Sequence, residues 1–207
     1  MLAPATVRTA TALVSDNQET CVTETPAARY GAIAMTLHWL IAVAIVGLLI
    51  VGKYMHDLPD SNPDKSALYQ QHKSFGLIVL LLTVFRIVWR LMHPVPRLPG
   101  TMPAWERRAA QASHFLFYAL MLGLPLSGWL RVSTDRDGIA TLWFGLFEVP
   151  HFPLLSKTLT GLLHDMHMMM GNALILLLII HVGAALKHHF WDRDNVFKRM
   201  LPFTRVE

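Results

Sequence analysis

Two histidines, His167 and His181, lie fourteen residues apart within one apolar segment of the chain. In an α-helix fourteen residues make about 3.9 turns, so both imidazoles leave nearly the same face, roughly 21 Å apart along the axis. Imidazole is a common metal ligand, and a polar side chain inside a membrane segment is costly and usually retained for a function. The spacing therefore predicts two metal-containing cofactors stacked across a bilayer.

Two further histidines come level with this pair when the apolar segments are arranged as antiparallel helices. His38 lies at the depth of His181, and His72 lies at the depth of His167. In each case the residue four positions later, on the same helical face, is small: Ala42, Gly76, Gly171 and Ala185. Small residues also serve helix packing in membranes, but a flat macrocycle needs one beside its ligand. We predict an inner pair (His38 and His181) and an outer pair (His72 and His167).

The number of ligands at each level restricts the cofactor. Zinc takes three or four ligands that converge on one point, often including Cys or a carboxylate, and Cys21 is the single cysteine of the chain. Two imidazoles from facing helices are the arrangement for axial ligation of haem iron within a bundle. With both axial positions filled, one-electron transfer is favoured over oxygen binding.

Alternative ligands exist at both levels. His114 lies at the inner depth, but its neighbour Tyr118 would crowd a flat ring, so a supporting or quinone-contact role is favoured. His164, one turn from His167, could replace that residue at the outer level. The methionines of segment 166–170 could also act as axial ligands, although filling gaps between helices is the favoured interpretation.

Haem propionates need cationic or hydroxyl partners, and the sequence offers candidates at each level. Interfacial Arg and Lys also extend toward lipid headgroups, so each candidate is predicted from its position alone. They are Arg29, Arg86, Arg90 and Ser113 at the inner level, with Lys73, Ser74 and Arg131 at the outer level.

The composition is that of a membrane protein. Of the 207 residues, 53% are hydrophobic and 15% charged, and the mean hydropathy is +0.39, whereas about a quarter of a soluble domain is charged. Apolar residues cluster in four segments, each long enough with its flanks to cross about 30 Å of hydrocarbon. The third segment is interrupted by Gly123, Pro125 and Gly128. We predict an all-α bundle of four transmembrane helices over residues 35–54, 68–92, 103–132 and 162–191.

Basic residues predict the orientation. Twelve Arg and Lys lie on the side of the membrane that carries both chain tails and the connector between helices two and three, against six on the opposite side. Because basic residues favour the cytoplasmic side, both termini are predicted to be cytoplasmic. Membrane lipid therefore accounts for the net charge of +4 without a nucleic-acid partner. Residues 1–28 are polar and lack the apolar core of a secretory signal. We predict a loosely ordered extension over 1–28 and a membrane domain over 29–203.

The loops carry residues with simpler predictions. His56, His93 and His151 are expected to be exposed in loops, and His188 and His189 to contact headgroups on the inner side. Trp143, Phe144, Phe147 and Phe152 lie in the external segment, where they form an aromatic belt at the membrane surface or a lid over a site.

Taken jointly, these residues resemble the prokaryotic cytochrome b561 family. The strongest match runs from His167 to Phe190. The likeness covers about residues 29–203, leaving the preceding tail unexplained. Further matching segments are Thr36–Leu40 in helix one, Gln71–Gly76 in helix two, Leu124–Gly128 in helix three, Trp143–Leu146, Trp191–Asn195 and Arg199–Pro202.

The resemblance implies a four-helix cytochrome of the bacterial inner (plasma) membrane that holds two b haems at His38, His72, His167 and His181. Members carry electrons between a periplasmic partner and the ubiquinone pool, and some are similar to superoxide oxidases. The chain is thus expected to be a superoxide:ubiquinone oxidoreductase or a pure electron-transfer protein. Outer cations would attract an anionic donor, and loop acids would oppose it. The cations are Lys73, Arg131, Arg136 and Lys157, and the acids are Asp57, Asp60, Asp64, Asp135 and Asp137.

Two other functions compete with this interpretation. The chain could be the cytochrome b membrane anchor of a hydrogenase or formate dehydrogenase, which passes on electrons from a partner enzyme. It could also be a haem-free four-helix transporter or scaffold in which the histidines relay protons. A reduced-minus-oxidised spectrum with a b-type absorbance change excludes the haem-free alternative.

Overall fold

A computed structural model describes residues 29–93, 95–134, 140–152 and 156–204. These residues form four long helices, each apolar enough to cross a membrane, which confirms the predicted all-α, four-span architecture. The predicted extension over residues 1–28 lies outside the described residues. The helices are α1 (Ala32–Asp57), α2 (Asp64–Met92), α3 (Ala104–Thr134) and α4 (Thr160–Phe190).

Helix α3 continues through the interruption predicted in its sequence. Pro125 lies inside this helix, although a proline removes one backbone hydrogen bond. Transmembrane helices tolerate such residues because neighbouring groups satisfy the freed backbone. Ser127 and Ser133 donate their hydroxyls to the carbonyls of Leu124 (2.7 Å) and Trp129 (2.8 Å) in the same stretch.

Helices that follow one another in sequence pack against each other, α1 on α2, α2 on α3 and α3 on α4. At mid-height a buried apolar cluster draws on all four helices. On each helix its members lie between the inner and the outer histidine level, so the cluster separates the two levels. It consists of Ile41, Ile45, Val79, Met121 and Leu174.

A short antiparallel hairpin, β1 (Leu142–Trp143) and β2 (Phe147–Glu148), lies in the segment between α3 and α4. Its turn uses positive φ at Phe144 (49°) and Gly145 (76°), as hairpin loops commonly do. The Gln70 side chain of α2 holds it in place: its amide nitrogen donates to the Ala140 carbonyl (2.7 Å), and its oxygen accepts the Leu142 amide of β1 (3.2 Å). We call the end of the bundle that carries the hairpin the outer end.

The opposite, inner end is closed by the last described residues, 194–204, which include a one-turn 3-10 helix (Lys198–Met200). The Trp39 indole donates to the Met200 carbonyl (2.8 Å), and the Arg199 guanidinium donates to the Arg97 carbonyl (2.6 Å). These bonds link the C-terminal segment to α1 and to the connector between α2 and α3.

Candidate functional site

The four predicted ligand histidines form two facing pairs. At the outer level the ring centroids of His72 (α2) and His167 (α4) are 6.3 Å apart, with planes at 73°. At the inner level those of His38 (α1) and His181 (α4) are also 6.3 Å apart, with planes at 64°. Four helices that run alternately in and out bring these residues together at two depths, as the sequence predicts.

The spacing within each pair fits a metal ion held between two imidazoles. A metal–imidazole bond is about 2.0 Å long, so two rings on opposite sides of one ion have centroids about 6 Å apart. Within the part of the chain that the structure describes, neither pair has a carboxylate or thiolate close enough to complete a tetrahedral site, because the one cluster of three or more such groups is Glu106, His188 and Asp192. The donor set suits the axial positions of haem iron.

A cavity of about 190 Å³ surrounds the outer pair. Positions 76 and 171, where the sequence predicts small residues beside the ligands, are glycines whose missing Cβ atoms would meet nothing within 4 Å. Both line the cavity together with His72 and His167. The open space next to the two imidazoles is where a flat ring would lie.

Two other glycines lie behind the imidazoles. A Cβ at Gly52 on α1 would lie 3.2 Å from Cε1 of His72, and one at Gly128 on α3 would lie 3.3 Å from Cε1 of His167. Each helix thus contributes one of the cavity's glycines. Sequence reasoning missed Gly52 and Gly128, because their contact with a ring on another helix depends on how the helices are rotated.

Hydrogen bonding orients one imidazole of the outer pair. Nδ1 of His167 lies 3.1 Å from the Leu124 carbonyl and 3.0 Å from the Ser127 hydroxyl. A carbonyl only accepts, so Nδ1 carries the proton and Nε2 keeps its lone pair for a metal. Nδ1 of His72 is buried and has no hydrogen-bond partner among the described residues, which is the kind of exception found at functional sites.

At the inner level, His181 has two histidine neighbours. Its ring centroid is 6.3 Å from that of His38 and 6.2 Å from that of His114, both at 64°. Phe117 packs edge-on at 5.1 Å. The structure therefore brings the competing residue of the sequence analysis, His114, into the same cluster.

The predicted inner partners of propionates mostly contact the protein itself. The Arg86 guanidinium donates to the Ala34 carbonyl (2.7 Å), and Ser113 donates to the Ala110 carbonyl (3.0 Å). Arg90 lies over the Tyr118 ring, 5.9 Å from its centroid. Arg29 donates to the carbonyl of Leu201.

At the outer level the predicted partners divide into two groups. Ser74 is fully buried, where it donates to the Gln70 carbonyl (3.0 Å) and accepts the Phe144 amide of the hairpin (3.1 Å). Lys73 and Arg131 instead line the cavity, and neither side chain has an ion pair or hydrogen bond within the described residues. Two half-buried cations without acidic partners are suited to bind an anionic group.

Several histidines outside the two pairs differ from their predicted surroundings. His56 is exposed, but it belongs to the last turn of α1 rather than to a loop. His93, by contrast, is exposed just beyond the end of α2, as predicted, and stacks on Trp89 at 3.8 Å. Nδ1 of His188, expected at the headgroups, lies 2.7 Å from Asp194 in an ion network of the chain itself.

Four apolar spans with imidazoles facing one another at two depths define a membrane helical bundle of the cytochrome b type. The chain belongs to the prokaryotic cytochrome b561 family, whose model matches residues 29–203. It is therefore a multi-pass membrane protein of electron transfer, and the family binds b-type haem.

Relatives of similar length support this assignment. The chain is 32% identical over 182 residues to "Cytochrome b561 homolog 2" of Escherichia coli K12, covering 86% of this chain and 94% of the relative. It is 27% identical over 179 residues to "Probable superoxide oxidase CybB" of Yersinia pestis, covering 86% and 98%. It is 28% identical over 176 residues to "Cytochrome b562" of Cereibacter sphaeroides, covering 83% and 94%.

Proposed function

We propose that the chain holds two b haems and carries electrons across the bacterial inner membrane between a periplasmic donor and the ubiquinone pool. His38 and His181 would hold the iron of the inner haem, and His72 and His167 that of the outer haem. The observation that carries the proposal is the equal spacing, 6.3 Å, of two imidazole pairs at opposite ends of one helical core. Haem with two imidazole ligands supplies reversible one-electron transfer at iron.

The protein's own groups set the conditions for that chemistry. With an imidazole on each side, neither haem would have an open iron position, which would disfavour direct binding of oxygen. The hydrogen bonds on Nδ1 of His167 make this ring a more basic ligand than an unpartnered imidazole. Lys73 and Arg131, which line the cavity without acidic partners among the described residues, would hold propionates of the outer haem.

The inner end faces the cytoplasm in this proposal. Positive charge supports the orientation, because basic residues near the ends of membrane helices stay predominantly on the cytoplasmic side. The basic residues of the described inner half, in the inner turns of the helices and the segments beyond them, are Arg29, Arg86, Arg90, Arg97, Arg107, Arg108, Lys187, Arg193, Lys198 and Arg199.

Superoxide is the donor that the outer end suits best. Lys73 and Arg131 present positive charge toward the outer cavity, and such a field concentrates small anions. Of the loop acids that oppose this field, Asp60 is paired with Lys65 at 2.8 Å, and this ammonium lowers the pKa of the Asp60 carboxyl. One curated relative is named a probable superoxide oxidase.

Ubiquinone is the acceptor at the inner end. Two superoxide anions give two molecules of oxygen and two electrons, and these electrons with two cytoplasmic protons convert ubiquinone to ubiquinol. His114, whose ring centroid lies 6.2 Å from that of His181, is the residue that would contact the quinone.

The test is a haem and redox assay on the purified chain in detergent or nanodiscs. We expect two b haems per chain, reduction by superoxide, and reoxidation by a soluble ubiquinone. One haem or none per chain contradicts the ligand assignment. Two haems that dithionite reduces but superoxide does not would retain the electron carrier and exclude superoxide as its donor.

A further inference from the structure

A third pair of histidines lies one turn outward from the outer level. His56 follows Gly52 by four residues on α1, and His164 precedes His167 by three residues on α4. Three or four residues are about one helical turn. The His56 ring therefore lies on the same side of α1 as Gly52, the His164 ring lies on the same side of α4 as His167, and both are one turn further out than the outer pair. Both His56 and His164 line the outer cavity.

The two rings face each other at a spacing suited to a metal ion. Their centroids are 6.3 Å apart, with planes inclined at 30°. The spacing equals that of the two deeper pairs, and about 6 Å is expected when two imidazoles bind one ion at bonds of about 2.0 Å. Within the described residues, neither His56 nor His164 forms a hydrogen bond or an ion pair, so their ring nitrogens are available.

We propose that His56 and His164 bind a divalent transition-metal ion of imidazole preference, such as Cu²⁺ or Zn²⁺, at the outer opening of the cavity. Water completes the coordination, because no third His, Cys, Asp or Glu of the described residues lies close to both imidazoles. The site clips the end of α1 to the start of α4. It does not depend on haem or on the proposed function.

The donor set selects the class of ion. Imidazole nitrogens suit Cu²⁺, Ni²⁺ and Zn²⁺, and Cu²⁺ binds most tightly to a given set of nitrogen ligands. Ca²⁺ and Mg²⁺ require oxygen ligands, which this pair does not offer. Cu²⁺ should therefore bind more tightly than Zn²⁺, and Mg²⁺ should not compete.

The described residues contain one other cluster with metal-binding groups, Glu106, His188 and Asp192. The Lys187 ammonium bonds both carboxylates there, at 2.9 Å to Glu106 and 2.7 Å to Asp192. A protein cation thus already occupies the position that a metal would take. This cluster supplies a control for the test.

The experiment is Zn²⁺ titration calorimetry and Cu²⁺ electron paramagnetic resonance on the full chain, prepared without a histidine tag. Wild type should bind one ion with nitrogen hyperfine coupling from two imidazoles. His56→Gln and His164→Gln should each weaken binding by about tenfold or more, since each removes half of the protein ligands. His151→Gln, which removes another outer-end histidine, and His188→Gln should bind as wild type does.

Thermal unfolding provides a second measurement, which detects Zn²⁺ binding through the melting temperature and also shows whether each variant is folded without the ion. An ion that binds only the folded protein raises the melting temperature with its concentration. Zn²⁺ should therefore raise the melting temperature of wild type and of His151→Gln, and should raise that of His56→Gln only at about tenfold higher concentration. Equal Zn²⁺ affinity in wild type and in a variant that carries both His56→Gln and His164→Gln would overturn the proposal. Loss of the bound ion in His188→Gln would place the site at the inner end instead.

Discussion

Gly128 on α3 lies directly behind the imidazole of His167, where a Cβ atom would come within 3.3 Å of Cε1 and 3.5 Å of Nδ1. Gly52 on α1 has the same relationship to His72, at 3.2 Å and 3.7 Å. The helices that do not carry the outer histidines therefore bring their backbones close to the Cε1–Nδ1 edge of each ring. If this pair binds haem, the two glycines fix the ring positions as much as the ligands' own helices do.

Alanine at position 52 should therefore disturb the outer haem. The added methyl group makes a contact tighter than ordinary van der Waals distance with a ring that packing holds in place, and forcing such a side chain off its rotamer costs about 1 kcal/mol. We expect the Gly52→Ala variant to retain both haems but to change the electron paramagnetic resonance signal and midpoint potential of one. Potentiometric titration of the purified chain measures both.

Gly47→Ala is the matched control, because it lies on the same helix and its Cβ would meet nothing within 4 Å. Gly128→Ala should affect the same haem as Gly52→Ala, from the opposite side. A change confined to the other haem, or an identical change in the Gly47→Ala variant, would contradict the role of these glycines.

Removal of either proposed outer ligand should release one haem. We expect His72→Ala and His167→Ala each to lower the haem content from about two per chain to about one. A single remaining imidazole binds the haem iron more weakly than two imidazoles do. The pyridine haemochrome assay measures this against protein concentration. His164→Ala is the comparison at the outer end, and loss of a haem there with retention in His167→Ala would move the ligand by one turn.

The inner pair makes a sharper prediction, because His38 and His114 lie equally near His181. His38→Ala should lose the inner haem, whereas His114→Ala should keep two haems and reduce the rate of ubiquinone reduction. Haem content and quinone turnover, measured on the same preparations, separate the two effects. The reverse result, with loss of haem in the His114→Ala variant alone, would exchange the roles of these two residues.

Much of this arrangement follows from the sequence, because helical geometry is regular. Hydropathy predicts four spans, and the fourteen-residue interval between His167 and His181 predicts two levels on α4. The levels of His38 and His72 then follow from antiparallel packing of neighbouring spans. These predictions require only the position of each residue along its helix axis. They do not require knowledge of how each helix is rotated about that axis.

What the sequence did not predict depends on contacts between distant segments. The hairpin strands are two residues each, too short for an alternating pattern, and the Gln70 side chain of α2 holds them. His56 was assigned to a loop because α1 was predicted to end at residue 54, whereas the helix continues to Asp57. Its approach to His164 depends on this additional turn.

The hydroxyl of Ser127 should adjust the potential of the outer haem. Nδ1–H of His167 points at the Leu124 carbonyl and the Ser127 oxygen, and both acceptors increase the basicity of the ring, which favours the oxidised iron. Ser127→Ala leaves the carbonyl in place and removes one acceptor. A hydrogen bond of about 1 kcal/mol corresponds to roughly 40 mV for a one-electron couple, so the potential should rise by up to that amount.

The charge of the outer cavity should control the rate of reduction by an anionic donor. Lys73 and Arg131 line the cavity without acidic partners among the described residues. Lys73→Gln and Arg131→Gln each remove one positive charge that attracts the anionic donor while it is still approaching the protein. We expect reduction by superoxide to slow by about threefold to tenfold at low salt, with a weaker dependence on ionic strength than in wild type. Stopped-flow absorbance of the b haems measures these rates.

A neutral reductant supplies the control for that experiment, because it does not respond to the field of the cavity. Its rate should be the same in wild type and in both variants as long as the haem potential is unchanged. Equal slowing with the neutral and the anionic donor would mean that Lys73 and Arg131 act on the haem itself, through its propionates, and not on the approach of the donor. Lys73→Arg, which keeps the charge, should restore the superoxide rate only if attraction is the cause.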